Sequence, residues 1–243
     1  MGKEAVVEVK GLSRSFGSLR ALEDLCFDIY YGEIFGLLGP NGAGKSTFIS
    51  VLTTLLKPTS GDCFIKGFSA ARQPDKIKNS IGFVPQDIAL YPSLTGLDNL
   101  KFWAGIYGLK GSRKKRRIEE VLLTVRLADR AGDKVDNYSG GMKRRLNIAV
   151  ALLHQPEILI MDEPTVGVDI QSRKYILDAI RELKNEGKTV IFTSHYMDEM
   201  ESLCDRLAII DKGKIKSIGT VKELKRTYGK DKIEDIMLEL MES

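Results

Sequence analysis

The sequence predicts an α/β domain built around a mainly parallel sheet, and three observations support that fold class. The 243 residues, 43% hydrophobic and 29% charged, suit one large globular domain. The apolar run Ile34–Leu38 is followed at once by a glycine-rich loop and then by apolar residues at helical spacing. From residue 158 onward, buried strands and amphipathic helices alternate, which is typical of parallel sheets with helical crossovers.

The first third of the chain predicts mostly strands. Val6–Val9 and Cys26–Ile29 alternate apolar and polar residues and are joined by polar turns, so we expect an N-terminal antiparallel β subdomain. A further short strand is predicted over residues 61–67. Ile81–Val84 predicts another strand, which ends just before Gln86.

The middle of the chain turns helical between residues 95 and 131, where Ile118, Val121, Leu122 and Val125 fall on one helix face. We therefore predict a helical insertion over residues 87–135. Buried strands follow at Ile158–Met161, Thr189–Thr193 and Leu207–Ile210, and a helix over residues 170–186 is closed by Gly187.

These elements predict a single domain over residues 1–243. Residues 1–86 and 136–220 form its core with the β subdomain, and residues 221–243 form a tail of one or two short helices. The longest apolar run is far shorter than the roughly 20 residues of a membrane span. The N-terminus is polar, so no secretory leader is expected.

Composition excludes few functions. The three cysteines, Cys26, Cys63 and Cys204, have no metal-ligand spacing, and we expect buried, reduced thiols in a cytosolic protein. The net charge of +4 is a mild excess that would favour anionic lipid or nucleic acid but demonstrates neither.

The glycine-rich loop after Leu38 matches the pattern G-x-x-x-x-G-K-[ST]. Glycines let successive backbone N–H groups curl around phosphate oxygens, and the following helix N-terminus adds partial positive charge. Because a strand precedes the loop and a helix follows it, phosphate binding is favoured over a chance glycine-rich turn. The predicted phosphate-binding residues are Gly39, Pro40, Asn41, Gly42, Ala43, Gly44, Lys45, Ser46 and Thr47, with Lys45 at the β- and γ-phosphates and Ser46 on Mg²⁺.

An acidic pair, Asp162 and Glu163, follows the apolar run Ile158–Met161. Ligands bind at the carboxyl ends of strands in open α/β sheets, so both carboxylates should face the ligand. Asp162 would hold Mg²⁺, directly or through water, and Glu163 would orient or deprotonate the attacking water. An isolated pair would more simply be a solvated loop end, but a phosphate loop in the same chain makes that the lesser alternative.

A third motif, Ser139-Gly140-Gly141, opens a predicted helix. Ser139 could simply cap that helix. The same hydroxyl, bare N–H groups and helix N-terminus could also form a second anion site. One triphosphate rarely needs two such sites, so a partner chain would explain the second one.

These motifs together resemble the nucleotide-binding subunit of ABC transporters over nearly the whole chain. The loop at Gly39 is similar to Walker A, Ile158–Glu163 to Walker B, and Tyr138–Met142 to the signature sequence LSGGQ. Further matches by position are Gln86 with the Q-loop, Val166–Asp169 with the D-loop, His195 with the switch histidine and Phe16 with the aromatic residue that stacks on adenine. Six motifs in the right order make the resemblance specific.

The resemblance implies a P-loop NTPase core and an ATPase that acts as a head-to-tail dimer around two ATP, with Mg²⁺. Glu163 would be the catalytic base, His195 would contact the γ-phosphate and the water, and Gln86 would join Mg²⁺ and couple to the insertion. Ser139–Gly141 would bind the ATP held by the partner, and Asp169 would touch the opposite subunit. A homodimer and a heterodimer both remain open.

Single residues have simpler alternatives. Gln86 could be a hydrogen-bonding residue at a strand end, His195 could cap the next helix, and Phe16 could be a core or loop aromatic. His154 matches no motif and is expected to be structural. Departures from the family pattern are Tyr138 for Leu and Met142 for Gln in the signature, and Ile170 where Pro often follows Asp169.

The basic run Arg113–Arg117 lies ahead of an amphipathic helix face and predicts a solvated helix start. It could also meet lipid headgroups or a partner loop, because the insertion faces the membrane subunit in this family. No nucleic acid is expected as a partner.

The resemblance implies an ATP-hydrolysing subunit on the cytoplasmic face of the cell membrane, driving export through a separate permease. The signature variant and the tail Ile236–Leu240 resemble the branch that exports drugs, lipids, polysaccharides or sodium. A non-transport ABC ATPase, such as one for cofactor assembly, is the alternative. An inactive binding module is disfavoured, because Lys45, Asp162, Glu163 and His195 are all intact.

Overall fold

The computed structural model describes residues 4–242, with Glu242 described by its backbone alone. Residues 1–3 and Ser243 belong to the predicted domain of residues 1–243 but lie outside the described residues.

Ten strands form two sheets: β1 Ala5–Phe16, β2 Leu19–Tyr30, β3 Ile34–Leu38, β4 Ser60–Ile65, β5 Phe68–Ser69, β6 Ile81–Val84, β7 Ile158–Met161, β8 Thr189–Ser194, β9 Arg206–Asp211 and β10 Lys214–Thr220. Nine α-helices accompany them within residues 4–242: α1 Lys45–Leu52, α2 Pro74–Lys78, α3 Gly96–Ile106, α4 Gly111–Thr124, α5 Gly140–Leu152, α6 Ile170–Asn185, α7 Met197–Leu203, α8 Val221–Tyr228 and α9 Ile233–Glu242. Short 3₁₀ turns occupy Ala128–Arg130 and Val135–Asn137.

The larger sheet has six strands in the order β10-β9-β3-β8-β7-β6. All neighbours are parallel except β10, which runs antiparallel along β9 at the edge. The central strand β3 is completely buried, as its continuous apolar sequence predicts. The smaller sheet, β2-β1-β4-β5, is antiparallel, so the predicted antiparallel β subdomain and the mainly parallel sheet are both confirmed.

Two hydrophobic clusters cover the two faces of the larger sheet. One joins the smaller sheet and α1 to side chains such as Phe35 and Ile160. The other joins α5, α6 and the helices α3 and α4 to side chains such as Leu38 and Leu159. The helices inside residues 87–135 therefore share a continuous apolar core with the sheet.

Helix ends follow local capping chemistry. The Thr220 hydroxyl and the Glu223 carboxylate form a reciprocal capping box at the start of α8, and Gly229 ends that helix with a φ of 63°. The predicted C-terminal helices are present as α8 and α9, and α6 ends at Asn185, two residues before Gly187.

The structure adds elements that the sequence analysis does not predict. Strand β10 was missed because its two isoleucines lie among polar residues, and β5 and α2 are too short for a pattern to stand out. The expectation that all three thiols are buried holds for Cys63, whereas Cys204 is half-buried and Cys26 is exposed. Cys26 lies on β2, where its Sγ accepts a hydrogen bond from the Gly11 N–H at 3.1 Å.

The basic run divides into two groups at the start of α4. Arg117 donates to the Leu152 and Leu153 carbonyl oxygens at the end of α5, at 2.6 and 3.2 Å, and also pairs with Glu120. Arg116 pairs with Glu120 as well, at 3.5 Å. Arg117 thus ties α4 to α5, whereas Arg113, Lys115 and Arg116 are exposed.

Candidate functional site

The strand order brings four polar segments to one edge of the larger sheet. Strands β6, β7, β8 and β3 are consecutive neighbours and parallel, so the residues that follow them emerge side by side. Gln86 follows β6, Asp162 and Glu163 follow β7, and His195 follows β8. The glycine-rich loop starting at Gly39 follows β3.

The loop closes tightly onto the first turn of α1. Gly44 has a φ of 110°, and a Cβ there would lie 2.5 Å from the Ala21 carbonyl oxygen, so only glycine fits. The Lys45 ammonium donates to the Gly39 and Pro40 carbonyl oxygens at 2.7 and 3.0 Å. The lysine therefore arches back over its own loop.

Lys45 is nearly buried and carries the main positive charge of the loop. Burial lowers its pKa from the usual 10.5, and the neighbouring carboxylates of Glu163 and Asp162 offset part of that effect. Its Nζ lies 3.9 Å from Glu163 Oε1. A phosphate placed here would gain a cation whose charge is only partly compensated by the protein.

The acidic pair is fixed by a hydroxyl from the neighbouring strand. Thr193 Oγ1 donates to Asp162 Oδ1 at 2.7 Å and accepts from the Glu163 N–H at 2.9 Å. Glu163 adopts a φ of 49°, a left-handed conformation that non-glycine residues seldom adopt. No sequence pattern assigned this role to Thr193, although a hydroxyl at the end of the otherwise apolar predicted strand Thr189–Thr193 was a usable signal.

Three predicted catalytic side chains meet at the Glu163 carboxylate. Gln86 Nε2 donates to its Oε2 at 3.4 Å, and His195 Nδ1 lies 3.3 Å from its Oε1. With Lys45 at 3.9 Å, the carboxylate has a polar partner from each of the other three segments. Glu163 is thus the centre of the site.

These groups line a cleft of about 790 Å³, within the range of roughly 300–1,000 Å³ for small-molecule sites. Phe16 lies along it with 44% of its surface exposed, and the Arg14 guanidinium lies 4.5 Å from the centre of its ring. Arg20 and Lys212 also line the cleft, although no motif in the sequence marks them. The predicted residues in the lining are Phe16, Pro40, Asn41, Gly42, Gly44, Lys45, Ser46, Thr47, Gln86, Glu163 and His195.

The predicted metal ligands are all oxygen donors. Ser46 is exposed to the cleft and Gln86 lines it, whereas Asp162 is buried beside Glu163. A hydroxyl, an amide and a carboxylate suit Mg²⁺, which prefers oxygen ligands and usually completes its shell with water and substrate phosphates. No group of three His, Cys, Asp or Glu that could hold a metal ion occurs in residues 4–242.

Ser139, Gly140 and Gly141 lie outside this cleft. Ser139 Oγ accepts from the Met142 N–H at 3.2 Å and so caps α5, as its simpler interpretation predicts. A Cβ on Gly141 would lie 2.1 Å from Ser172 Oγ, so glycine permits the start of α5 to touch the start of α6. Ser139 and Gly140 remain exposed.

Asp169 belongs to the same exposed surface. Its Oδ1 accepts from the Ser172 N–H at 2.9 Å, which caps α6 and lowers the pKa of Asp169. The next residue, Ile170, is 90% exposed. Two capped helix N-termini and one bare isoleucine therefore lie together on a surface separate from the cleft.

The simpler, structural interpretations of single residues have different outcomes. The N-cap of α7 is Tyr196 rather than His195, whose ring instead faces Glu163. His154 is structural, because its Nε2 lies 2.8 Å from the Ile81 carbonyl oxygen and its ring stacks on Tyr107. Tyr138 is buried and donates its hydroxyl proton to the Arg130 carbonyl oxygen at 2.7 Å, so it anchors the signature segment.

A parallel sheet with a phosphate loop after β3 and an acidic pair after β7 defines a P-loop nucleoside triphosphatase. The family described as "ABC transporter" matches residues 22–166, and the chain belongs to this family. Its domain is therefore an ATP-binding, ATP-hydrolysing ABC cassette. No helix in residues 4–242 is long and apolar enough to cross a membrane.

Two curated relatives are antibiotic-resistance proteins. The chain is 49% identical to the linearmycin resistance ATP-binding protein LnrL of Bacillus subtilis over 228 residues, which cover 94% of this chain and 73% of the relative. It is 37% identical to the daunorubicin resistance ATP-binding protein DrrA3 of Streptomyces coeruleorubidus, over 97% of this chain and 75% of the relative.

Solved structures agree with this family and fold. An ATP-binding subunit of an ABC transporter superposes with a TM-score of 0.87 at 32% identity, covering 97% of this chain and 99% of the other. A dimeric ATP-binding cassette in a post-hydrolysis state, bound to ADP and Pi, superposes with a TM-score of 0.80 at 28% identity, over 88% and 98% of the two chains.

Proposed function

We propose that this cassette hydrolyses ATP between two head-to-tail subunits and so drives export through a separate permease. The observation that carries the proposal is the convergence of Gln86, His195 and Lys45 on Glu163 in a cleft of about 790 Å³. The exposed Ser139–Gly141 surface lies elsewhere, which supports its use by a partner.

Each residue in the cleft has a distinct task in this proposal. The phosphate loop and Lys45 bind the phosphates, and Phe16 stacks on the base. Glu163 accepts the proton of the attacking water, and His195 contacts the γ-phosphate and holds that water in place. The hydrogen bonds from Thr193 keep Asp162 and Glu163 in their orientation before substrate arrives.

Mg²⁺ is the metal that the oxygen donors fit. Ser46, Gln86 and Asp162 would hold it, and when bound it would neutralise charge on the phosphates. The main-chain carbonyl oxygen of Gln86 also accepts a hydrogen bond from the Arg144 guanidinium, at 2.5 Å. A shift of α5 would therefore reach the Gln86 segment.

A homodimer is the simplest assembly, because one chain carries both halves of a shared site. The cleft would bind ATP, and Ser139–Gly141 of the partner would cover its phosphates with bare N–H groups. Asp169 and Ile170 lie beside Ser139–Gly141 and would be buried by the same contact. The dimeric state of the related cassette bound to ADP and Pi supports this arrangement.

A groove of about 330 Å³ between the sheet and α3 is suited to the permease. Leu55, Phe83, Pro85, Trp103 and Tyr107 line it, and Leu55 is exposed. The groove adjoins Gln86 in sequence, which would connect docking to the ATP site.

The names of the relatives favour export of an antibiotic-like compound. Two curated relatives take their names from linearmycin and daunorubicin resistance. We therefore place this subunit on the cytoplasmic face of the membrane, with a drug or a similarly amphipathic molecule as cargo.

The test is to examine the neighbouring reading frames for a hydrophobic protein with about six spans and to co-express such a candidate permease with this chain. We expect the two to purify together from membranes and the permease to raise ATP turnover. Leu55→Asp, in the groove, should reduce recovery of the pair, and Leu123→Asp, exposed on α4, should not. A non-transport ATPase is the second candidate; retention on a water-soluble scaffold, with no membrane partner, would favour it instead.

A further inference from the structure

Glu199, on α7, is a fully buried carboxylate that no step above uses. Only 1% of its surface is exposed, and its side chain is surrounded by three donors. A carboxylate taken out of water is unfavourable unless it is paired and hydrogen-bonded. The partners of Glu199 therefore show what this residue organises.

The donors come from three separate segments. Thr165 Oγ1 donates to Glu199 Oε2 at 2.8 Å, and Ser194 Oγ donates to the same oxygen at 3.1 Å. Arg173 Nε binds the other oxygen, Oε1, at 2.5 Å. Thr165 lies in the loop after β7, Ser194 ends β8, and Arg173 lies in the first turns of α6.

Each of these segments carries a residue of the proposed reaction. Thr165 is two residues after Glu163, and Ser194 is the residue before His195. Arg173 is one helical turn after Asp169, whose carbonyl oxygen accepts the Arg173 N–H at 2.8 Å. One carboxylate thus links the water-activating base, the switch histidine and the partner-facing surface.

The contacts around Arg173 and Ser194 strengthen this link. Arg173 also pairs with Asp198 at 2.8 Å and stacks over the Tyr196 ring at 4.6 Å, directly after His195. Ser194 Oγ accepts from the Tyr196 N–H at 3.0 Å. The backbone on both sides of His195 is therefore held to α6 and α7.

We propose that Glu199 is a positioning residue that holds Glu163, His195 and the start of α6 in register, so that contact with a partner at Asp169 is transmitted to the hydrolytic groups. The inference rests on the proposed function of the cleft. It assigns Glu199 no contact with ATP or with the attacking water.

The test compares Glu199→Gln with Glu201→Gln. Glu201 is on the same helix and is also hydrogen-bonded, but its partners, Lys225 and the Ile233 N–H, belong to the C-terminal helices. We expect Glu199→Gln to lower kcat for ATP by about 10- to 100-fold with KM changed less than about threefold, because small misplacements of reacting groups have effects of that size. Glu201→Gln should keep kcat within about twofold.

ATP-dependent dimerisation provides a second measurement. In a Glu163→Gln background, which removes turnover, Glu199→Gln should weaken the ATP-bound dimer, and Glu201→Gln should not. Unchanged kcat in Glu199→Gln would overturn the proposal. A loss of kcat equal to that in Glu201→Gln would also overturn it, since general destabilisation would then explain both.

Thr165→Val keeps the inference testable if Glu199→Gln does not fold. This isosteric change removes only the bond from the loop that carries Glu163, and it should lower kcat several-fold without changing ATP affinity. A wild-type kcat in Thr165→Val would count against the positioning role. By contrast, the proposed function itself would fail on different grounds: a wild-type chain with no ATP turnover, or no membrane partner.

Discussion

The cleft at the sheet edge and the exposed surface around Ser139 contain the same kinds of chemical group but differ in the contacts that these groups make. Both present helix N-termini, bare N–H groups and hydroxyls. In the cleft, Gln86, His195 and Lys45 already face the Glu163 carboxylate, and Thr193 links that residue to Asp162. On the surface, Ser139 and Asp169 only cap their own helices, and Ile170 beside them is 90% exposed.

The difference indicates which part of the proposed ATP site lies within a single chain. The cleft is concave, and its charges are arranged against one another before any ligand arrives. Ser139 and Gly140 lie outside the cleft, at the N-terminus of α5. In the proposed dimer a second copy of the chain would bring its own cleft and Lys45 to this surface, and the four predictions below test that division.

The largest effect is expected at the base. Glu163→Gln should lower ATP turnover by about 10²- to 10⁴-fold, because a positioned general base contributes that much, while nucleotide binding persists. Phosphate release and a nucleotide titration would measure the two properties. Glu157→Gln, at the opposite end of β7 and paired with Lys66 on the surface, is the matched control and should turn over normally. Normal turnover in Glu163→Gln would remove Glu163 from its role.

Removing the loop cation should act on binding. Lys45→Ala should weaken nucleotide binding by roughly 10- to 100-fold, since hydrogen bonds to charged groups contribute about 1.5–3 kcal/mol. Titration with a fluorescent ATP analogue would measure it. The exposed Lys57, changed to Ala, controls for loss of a positive charge. Equal affinities for both variants would contradict the assignment of Lys45.

A change confined to the exposed surface should leave folding intact and weaken assembly. Ile170→Asp should shift thermal unfolding little, by less than about 0.5 kcal/mol, because the side chain is exposed. It should weaken the ATP-bound dimer of a Glu163→Gln background about tenfold, the loss typical of an interface contact. Light scattering after gel filtration would measure dimer mass. Leu123→Asp, at a residue 67% exposed on α4, is the control. An equal loss of dimer in both variants would contradict a specific role for the surface around Ser139.

The smallest effect concerns protonation. Burial lowers the pKa of Lys45, and bound phosphate would raise it again, because negative charge favours the ammonium form. Binding should therefore take up protons at alkaline pH, between the lowered pKa of the free chain and the raised pKa of the complex. Affinity should fall a few-fold as pH rises through that window.

Calorimetry in two buffers of different ionisation heat would detect the proton uptake. Lys45→Arg is the control, because a guanidinium stays protonated throughout this range. Persistent uptake in that variant would assign the effect to a different group.

Much of the fold was predictable because it depends on local patterns. Short apolar runs such as Ile34–Leu38 and Ile158–Met161, each followed at once by a glycine or polar residue, predict buried strands, and they are β3 and β7. The missed elements, α2, β5 and β10, are short or mixed in polarity, so their stability comes from neighbours rather than from their own residues. Cys26 was misjudged because the side of a strand that faces solvent depends on its partner strands.

The sequence by itself determined the phosphate loop, the acidic pair and the capped Ser-Gly-Gly helix start, because each is a contiguous set of residues whose chemistry follows from spacing. Only the tertiary structure decided that Gln86 and His195 meet Glu163 and that Ser139 does not. Those contacts depend on the order β6-β7-β8-β3, which brings together residues 77 and 32 positions apart in the chain. Strand order is fixed by packing the whole sheet between its two apolar clusters, and no local run of residues encodes it.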